Sequence, residues 1–152
     1  MSSKLEKFVN EFPWVENESS PWAVFDKALN ESKVAVVSTG GLYVYCDKPF
    51  QIEDRQDVDE SFREIPLEIE SEQIEIAHEH YEKRYVNKDI NTVFPVERLK
   101  ELEAEGFIGE LSNYNFSITG YIPEPDELFA TGKEIAGKLS ELEIDAVLIV
   151  PV

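Results

Sequence analysis

The sequence contains little cysteine and little positive charge. Its one cysteine, Cys46, allows neither an internal disulfide nor a zinc site built from a cysteine pair. The 14 Lys and Arg against 32 Asp and Glu give a formal net charge of −18, which argues against binding to nucleic acid or to an anionic membrane. No apolar run approaches the ~20 residues of a membrane-spanning helix, and the N-terminus does not resemble a secretion signal. We therefore expect a cytoplasmic protein.

Enough apolar residues remain for a folded core. Hydrophobic residues make up 42% of the 152 residues and aromatic residues 11%, which is typical of globular domains. Residues 1–33 carry two Pro-Trp elements separated by polar residues, which predicts an N-terminal arm. Residues 34–152 are predicted to form a single α/β domain.

Two uniformly apolar segments predict the strands of this domain. They are residues 34–37 (VAVV) and 146–150 (AVLIV). Apolar residues at helical spacing after Pro95 and after Asp126 predict amphipathic helices between the two strands. This order indicates an α/β fold with an at least partly parallel sheet and flanking helices, in which both strands are expected to be buried on two faces.

An acidic stretch separates the first strand from the first helix. Residues 47–82 are rich in Asp and Glu and poor in periodic signal. Such a charge run is typical of a solvated surface excursion. Short strands are predicted within it, near residues 62–65 and 74–76.

The loop after the first apolar strand is a candidate ligand site. Ser38 and Thr39 offer hydroxyl groups, and Gly40 and Gly41 would let backbone N–H groups approach a ligand, including an anionic one. A simple tight turn is the alternative. The loop is neither a P-loop nor a G-x-G-x-x-G fingerprint, so the motif does not support nucleotide binding.

The densest set of catalytically capable side chains surrounds the two histidines. His78 and His80 are followed by Tyr81, Asp89 and Asn91. On a strand the two histidines would point to the same face, where they could transfer protons near neutral pH or bind a metal. A third metal ligand at diagnostic spacing is missing, so we predict no metal site. Solvated or structurally bonded histidines are the alternative.

Several longer motifs occur together in the order found in one protein family. These are residues 34–43 (VAVVSTGGLY), 62–66 (FREIP), 77–81 (AHEHY), 86–95 (VNKDINTVFP), 97–102 (ERLKEL) and 105–111 (EGFIGEL). From about Val34 to Val152 the chain resembles the N-terminal part of the selenoprotein B subunit of glycine, sarcosine, betaine and D-proline reductases.

The resemblance implies reductive cleavage of a small amine substrate by a multi-subunit complex of anaerobic, amino-acid-fermenting bacteria. In that family a pyruvoyl group on a partner subunit captures the substrate amine where the amine allows it, and a selenocysteine of the B subunit attacks the activated substrate. The resemblance places the selenocysteine just after Val152. The chain is therefore expected to be an N-terminal portion that lacks its nucleophile and is inactive alone.

The resemblance strengthens the expectation that the candidate residues belong to a functional site. We expect the loop 38–41 to line the mouth of the site and to bind the substrate together with Asn91. His78 and His80 are expected to protonate the leaving amine or orient the substrate, and Asp89 or Asn91 to fix their tautomers. Tyr81 belongs to the same set.

Two other functions are consistent with the residues. One is a non-catalytic module for small-molecule binding or assembly that is derived from the family, and the other is a free-standing metal enzyme using the two histidines. Residues 146–150 are also expected to be an apolar sheet edge, which favours pairing with another chain and hence a homo-oligomer.

Overall fold

A computed structural model describes residues 3–11, 23–52, 59–78, 81–120, 122, 126 and 128–152. The strands are β1 (Lys33–Ser38), β2 (Leu42–Val44), β3 (Arg63–Pro66), β4 (Ile74–Ile76), β5 (Glu110–Leu111), β6 (Tyr114–Ser117) and β7 (Ala146–Val150). The α-helices are α1 (Ser3–Glu11), α2 (Lys83–Val86), α3 (Val96–Ala104) and α4 (Leu128–Glu141), and short 3-10 helices span Leu29–Glu31, Ser71–Gln73 and Ile90–Thr92. The predicted Pro-Trp elements lie outside the described residues. Among the described helices, none is both long and apolar enough to cross a membrane.

The main sheet is mixed, and its centre is parallel. β1 pairs in parallel with β5, β6 and β7, and β3 joins the outer side of β6 in antiparallel orientation. β2 and β4 form a separate antiparallel pair. This arrangement confirms the predicted α/β fold with a partly parallel sheet.

Each edge of β1 bonds a different neighbour. On one edge the carbonyl oxygen of Val34 accepts from the Ser112 N–H at 2.8 Å, on the side of β5 and β6. On the other edge the carbonyl oxygen of Lys33 accepts from the Asp145 N–H at 2.9 Å, at the start of β7. β1 is thereby the central strand, and its residues Val34, Ala35 and Val36 are buried as predicted.

A hydrophobic core lies between the sheet and the segment that contains α2 and α3. Val36 and Leu111 of the sheet belong to the same buried cluster as Val93, Phe94 and Leu99. The predicted helix after Pro95 is confirmed as α3, and the chain leaves it through Gly106, whose φ is +75°. The second predicted helix is α4, with Ile135 buried on its inner face.

Two expectations need correction. The acidic stretch is not only a surface excursion, because β3 is part of the main sheet and its Ile65 is fully buried. β7 is not buried on two faces: Val147, Leu148 and Ile149 are 38%, 40% and 65% exposed. Its apolar composition resembles that of β1, but among the described strands it has a neighbour on one edge alone.

Candidate functional site

The carboxyl ends of three parallel strands meet at one edge of the sheet. The N–H of Thr39, just after β1, donates to the carbonyl oxygen of Val150 at 3.0 Å, and the N–H of Val152 donates to the Thr39 hydroxyl oxygen at 2.8 Å. Gly120 follows β6 at the same edge. Open α/β sheets bind ligands at this edge. We call residues 38–41, His78, Gly120 and 150–152 the strand-end site.

Gly41 brings the histidine segment to this site. Its φ of +63° is readily adopted by glycine, and its N–H and carbonyl oxygen bond the Ile118 carbonyl oxygen and the Ala77 N–H, each at 2.9 Å. A Cβ at position 41 would lie 2.2 Å from the Ala77 carbonyl oxygen. Only a residue without a side chain allows this approach, and His78 follows directly.

The imidazole of His78 is buried among backbone groups. The residue is 9% exposed, and its Nε2 lies 2.8 Å from the point where a Cβ of Gly120 would be. The carbonyl oxygens of Thr39 and Val152 lie 2.8 Å and 3.0 Å from that same point. The glycine therefore makes room for the imidazole and for two strand ends.

Gly120 was not among the predicted site residues. Like the loop after β1, the chain after β6 has a hydroxyl residue followed by glycine, Thr119-Gly120. This repeated pattern at the ends of two strands could have indicated Gly120 as a site residue. The inference requires knowing that β6 runs parallel to β1, which the sequence did not show.

The loop residues Ser38, Thr39, Gly40 and Gly41 lie at the site, but the backbone N–H groups of the last three already donate hydrogen bonds within the chain. Thr39 donates to Val150 and Gly41 donates to Ile118, while the Gly40 N–H donates to the Ser38 hydroxyl at 3.1 Å. The Ser38 hydroxyl in turn donates to the Val93 carbonyl oxygen at 2.8 Å. The loop therefore does not present these N–H groups to an anion. Its hydrogen bonds and glycines pack the strand ends closely around His78.

Tyr81 is in contact with the site, and the position of His80 is not described. The rings of Tyr81 and His78 pack edge to face, with centroids 6.1 Å apart and planes at 71°. His80 lies outside the described residues. β4 ends at Ile76, so His78 is not on a strand and the expected alternation of the two histidines does not apply.

In the described part of the chain no three His, Cys, Asp or Glu residues group as metal ligands.

Asp89 and Asn91 bond to each other and to neighbouring helix ends. The Asp89 carboxylate accepts from the Asn91 side-chain amide at 2.8 Å and from its backbone N–H at 2.9 Å, which caps the 3-10 helix at 90–92. These two hydrogen bonds, in that order, hold the pKa of Asp89 below its usual value. The Asn91 side-chain oxygen accepts from the Glu97 N–H at 3.2 Å, near the start of α3. These bonds favour a structural role, and the predicted catalytic and substrate-binding roles stay predictions.

Comparison with known proteins points to one family. The family described as Glycine/sarcosine/betaine reductase selenoprotein B matches residues 3–151. The chain is 35% identical over 129 residues to D-proline reductase subunit gamma of Acetoanaerobium sticklandii, an alignment that covers 84% of this chain and 52% of that subunit. It is 31% identical over 146 residues to sarcosine reductase complex component B subunit beta of Peptoclostridium acidaminophilum, covering 95% of this chain and 33% of the relative.

A third relative also matches almost the whole chain over only part of its own length. Glycine reductase complex component B subunit gamma of Symbiobacterium thermophilum is 30% identical over 156 residues, covering 96% of this chain and 34% of that subunit. The chain thus spans about half of the D-proline reductase subunit and about a third of the other two. No solved structure matches the chain significantly.

Proposed function

Because the chain belongs to the glycine/sarcosine/betaine reductase selenoprotein B family, we propose that it is a component of a complex that reductively cleaves glycine, sarcosine, betaine or D-proline. Its relatives are named as subunits or components of reductases for these compounds. The structural observation that carries the proposal is the buried His78 imidazole at the point where β1, β6 and β7 end. Neither the family nor the fold selects one of the four substrates.

His78 is the proposed proton donor in this reaction. When the carbon–nitrogen bond of glycine, sarcosine or D-proline breaks, the leaving nitrogen must hold a proton in place of the carbon, whereas the quaternary nitrogen of betaine leaves as a neutral amine without one. Histidine is the side chain best suited to such a proton transfer near neutral pH. Nε2 is buried away from bulk water, and the Tyr81 ring packs against the imidazole with the two ring planes at 71°. The roles predicted for His80, Asp89 and Asn91 remain proposals.

The nucleophile and the pyruvoyl group are proposed to come from outside these 152 residues. The site fits a nucleophile that follows Val152, because the Thr39 hydroxyl holds the Val152 N–H at 2.8 Å and the Val152 carbonyl oxygen lies beside Gly120. A selenocysteine there would supply a selenol that is ionised and nucleophilic at neutral pH, as a low-pKa thiolate is. The nucleotides after the Val152 codon test this proposal: UGA within an open frame is expected, and any other codon at this point contradicts it.

The complex itself is testable by purification. The tagged polypeptide is isolated from its own cells without oxygen, its companions are identified by mass spectrometry, and the preparation is assayed with a dithiol as reductant. We expect companions related to other reductase components, including a pyruvoyl-bearing subunit. We also expect amine release from glycine, sarcosine or betaine, or ring opening of D-proline.

Two results would argue against this function. Companions unrelated to reductases, with no turnover of any of the four compounds, would remove the proposed membership. Binding of one compound without turnover by the whole preparation would favour the non-catalytic binding module instead.

A further inference from the structure

Among the described strands β7 has one unpaired edge, and both of its faces are partly exposed. Its partner among the described strands is β1, which occupies one edge and leaves the other edge free. Leu148 pairs in register with Val36 and therefore faces the same side of the sheet, where it is 40% exposed. Val147 and Ile149 face the opposite side and are 38% and 65% exposed. Neither face of the strand is fully covered.

Nothing in β7 protects this edge. Natural edge strands carry charges, proline or bulges that prevent further pairing. The AVLIV sequence of β7 has none of these, and its pairing with β1 is continuous over all five residues from Ala146 to Val150. Apolar residues on both faces of a parallel strand are typical of the interior of a sheet. The strand therefore has the composition of an interior strand and the position of an edge.

We propose that the free edge and faces of β7 bind the polypeptide that corresponds to the unmatched part of the relatives, through a strand pairing with β7. The lengths support this occupant, because the alignments leave 48% of the D-proline reductase subunit and 67% of the sarcosine reductase subunit without a counterpart here (100 − 52 and 100 − 33). The proposal rests on family membership and not on the chemistry of His78.

A second copy of the chain fits this edge less well. Two copies would bring together charges of −18 each, or −36 in total, and like charge opposes association. A two-fold axis through the edge would pair β7 with its copy in antiparallel orientation, whereas each of the described pairings of β1 is parallel. The homo-oligomer predicted from the sequence is therefore the competing outcome of the test.

The occupant would also complete the strand-end site. β7 leads directly to Val152, whose carbonyl oxygen lies beside Gly120. A strand added in parallel to β7 would end at the same edge, where open α/β sheets form their sites. The uncovered strand and the candidate site are thus parts of one surface.

Site-specific crosslinking in the native complex tests the occupant. Ile149 and, as a matched control, Phe107 are each replaced by the photo-reactive residue benzoylphenylalanine. Both side chains are similarly exposed, at 65% and 62%, and Phe107 lies near β5, on the opposite edge of β1. After irradiation of the purified complex, the crosslinked peptides are identified by mass spectrometry.

The expected result is a crosslink from position 149 to a peptide whose sequence aligns with the unmatched part of the relatives, with no such crosslink from position 107. Crosslinks to residues 146–150 of a second copy would overturn the proposal in favour of the homo-oligomer. A yield at position 149 no higher than at position 107 would overturn it as well.

Discussion

Two glycines that differ only in their surroundings show what the strand-end site requires. A Cβ at Gly120 would lie 2.8 Å from both His78 Nε2 and the Thr39 carbonyl oxygen, whereas a Cβ at Gly132, on the outside of α4, would meet nothing within 4 Å. The lack of a side chain is therefore needed at the first position and unnecessary at the second.

Gly120→Ala and Gly132→Ala should change stability in opposite directions. The first overpacks a closed site and should lower the free energy of unfolding by about 1–3 kcal/mol. The second removes a helix-interior glycine and should raise it by up to about 1 kcal/mol. Urea denaturation measures both, and NMR of the histidine ring protons should show a shifted His78 signal in Gly120→Ala alone. An unshifted His78 signal with unchanged stability would mean that the glycine makes no room for the imidazole.

Asp59 should make stability depend on pH in the acid range. Burial raises the pKa of its carboxyl group, but hydrogen bonds from Ser61 and Gln51 and the charge of Arg63 outweigh burial and hold the pKa below its usual value. The Arg63 guanidinium lies 3.2 Å from the Asp59 carboxylate. A pKa lowered by folding adds stability above the unfolded value of about 3.9, and this stability is lost as pH falls through the folded value.

The variant Asp59→Asn should therefore be less stable than the unmodified chain at pH 7, and the difference should shrink below about pH 4. Urea denaturation from pH 7 to pH 3 measures it. Asp26→Asn, at an exposed position, is the control and should follow the unmodified chain. A difference between Asp59→Asn and the unmodified chain that stays constant over this range would contradict the assignment.

At the residue scale the sequence indicated His78, Tyr81 and the loop 38–41 as candidates, because chemically capable side chains and a glycine pair are visible without a fold. The structure brings these residues to one edge of the sheet, and their functional roles stay predictions. It could not show Gly120, whose importance arises from two backbone carbonyl oxygens and an imidazole that come from distant parts of the chain. The use of the loop N–H groups was also hidden. The N–H groups of Thr39 and Gly41 donate to the carbonyl oxygens of Val150 and Ile118, which are distant in the sequence.

Among the elements, the small β2 and β4 pair depends on Gly41. Both Gly41 and Gly106 are left-handed, with φ of +63° and +75°, but a Cβ at Gly41 would lie 2.2 Å from the Ala77 carbonyl oxygen and a Cβ at Gly106 would meet nothing within 4 Å. Gly106→Ala should therefore cost only the backbone strain of about 1–2 kcal/mol.

Gly41→Ala should cost more than Gly106→Ala, because the same strain is joined by displacement of the segment that carries His78. Urea denaturation of both variants measures the difference. Proton exchange at the Ala77 N–H, which donates to the Gly41 carbonyl oxygen at 2.9 Å, should accelerate in Gly41→Ala alone. Equal costs, with the Ala77 N–H still protected, would show that Gly41 does not hold the segment.

The side chain of Asn115 connects the segment between β5 and β6 to β1. The buried Asn115 accepts from the Val36 N–H at 2.8 Å through its side-chain oxygen, and its amide donates to the Ser112 carbonyl oxygen at 3.4 Å. Its side-chain oxygen thus accepts from the Val36 N–H in place of a backbone carbonyl oxygen, at the point where the chain passes from β5 to β6. Its polar character alone gave no reason to expect it inside the sheet.

Asn115→Ala should destabilise the protein by about 1–3 kcal/mol, because the buried Val36 N–H loses its acceptor. Asn113→Ala, at the neighbouring exposed position, should change the free energy of unfolding by less than about 0.5 kcal/mol. Chemical denaturation of the pair measures the contrast. Similar small effects at both positions would show that the Asn115 amide is not needed to join β5 and β6 to β1.

The elements that the sequence revealed are those with strong patterns, namely β1, β7, α3 and α4. The division of residues 108–118 into two short strands could not be foreseen, because it depends on the side chain of Asn115. The exposure of β7 could not be foreseen from its composition either, since an apolar run reads the same at an edge and in the interior.

For the whole molecule, the fold class and the family that the sequence indicated are both confirmed. The chain has a partly parallel sheet, its parallel strands end around a buried histidine, and the family of reductase selenoprotein B subunits matches almost its full length. The net charge of −18 argues against a nucleic-acid or anionic-membrane partner but does not indicate which partner the chain has. Sequence motifs in one order indicated the family, and physical patterns alone would have reached only the fold class.

The most direct test of the account is the rate of carbon–nitrogen bond cleavage in glycine, sarcosine or D-proline by the proposed complex, purified with His78→Gln in this component. We predict that kcat falls by about 10²–10⁴-fold, the usual contribution of a general acid, with little change in KM. Tyr85→Phe, at an exposed position in α2, should leave both constants unchanged. Because His78 is buried, the composition of the variant complex is checked by mass spectrometry first. An intact complex in which His78→Gln cleaves the carbon–nitrogen bond at the unmodified rate would contradict the account.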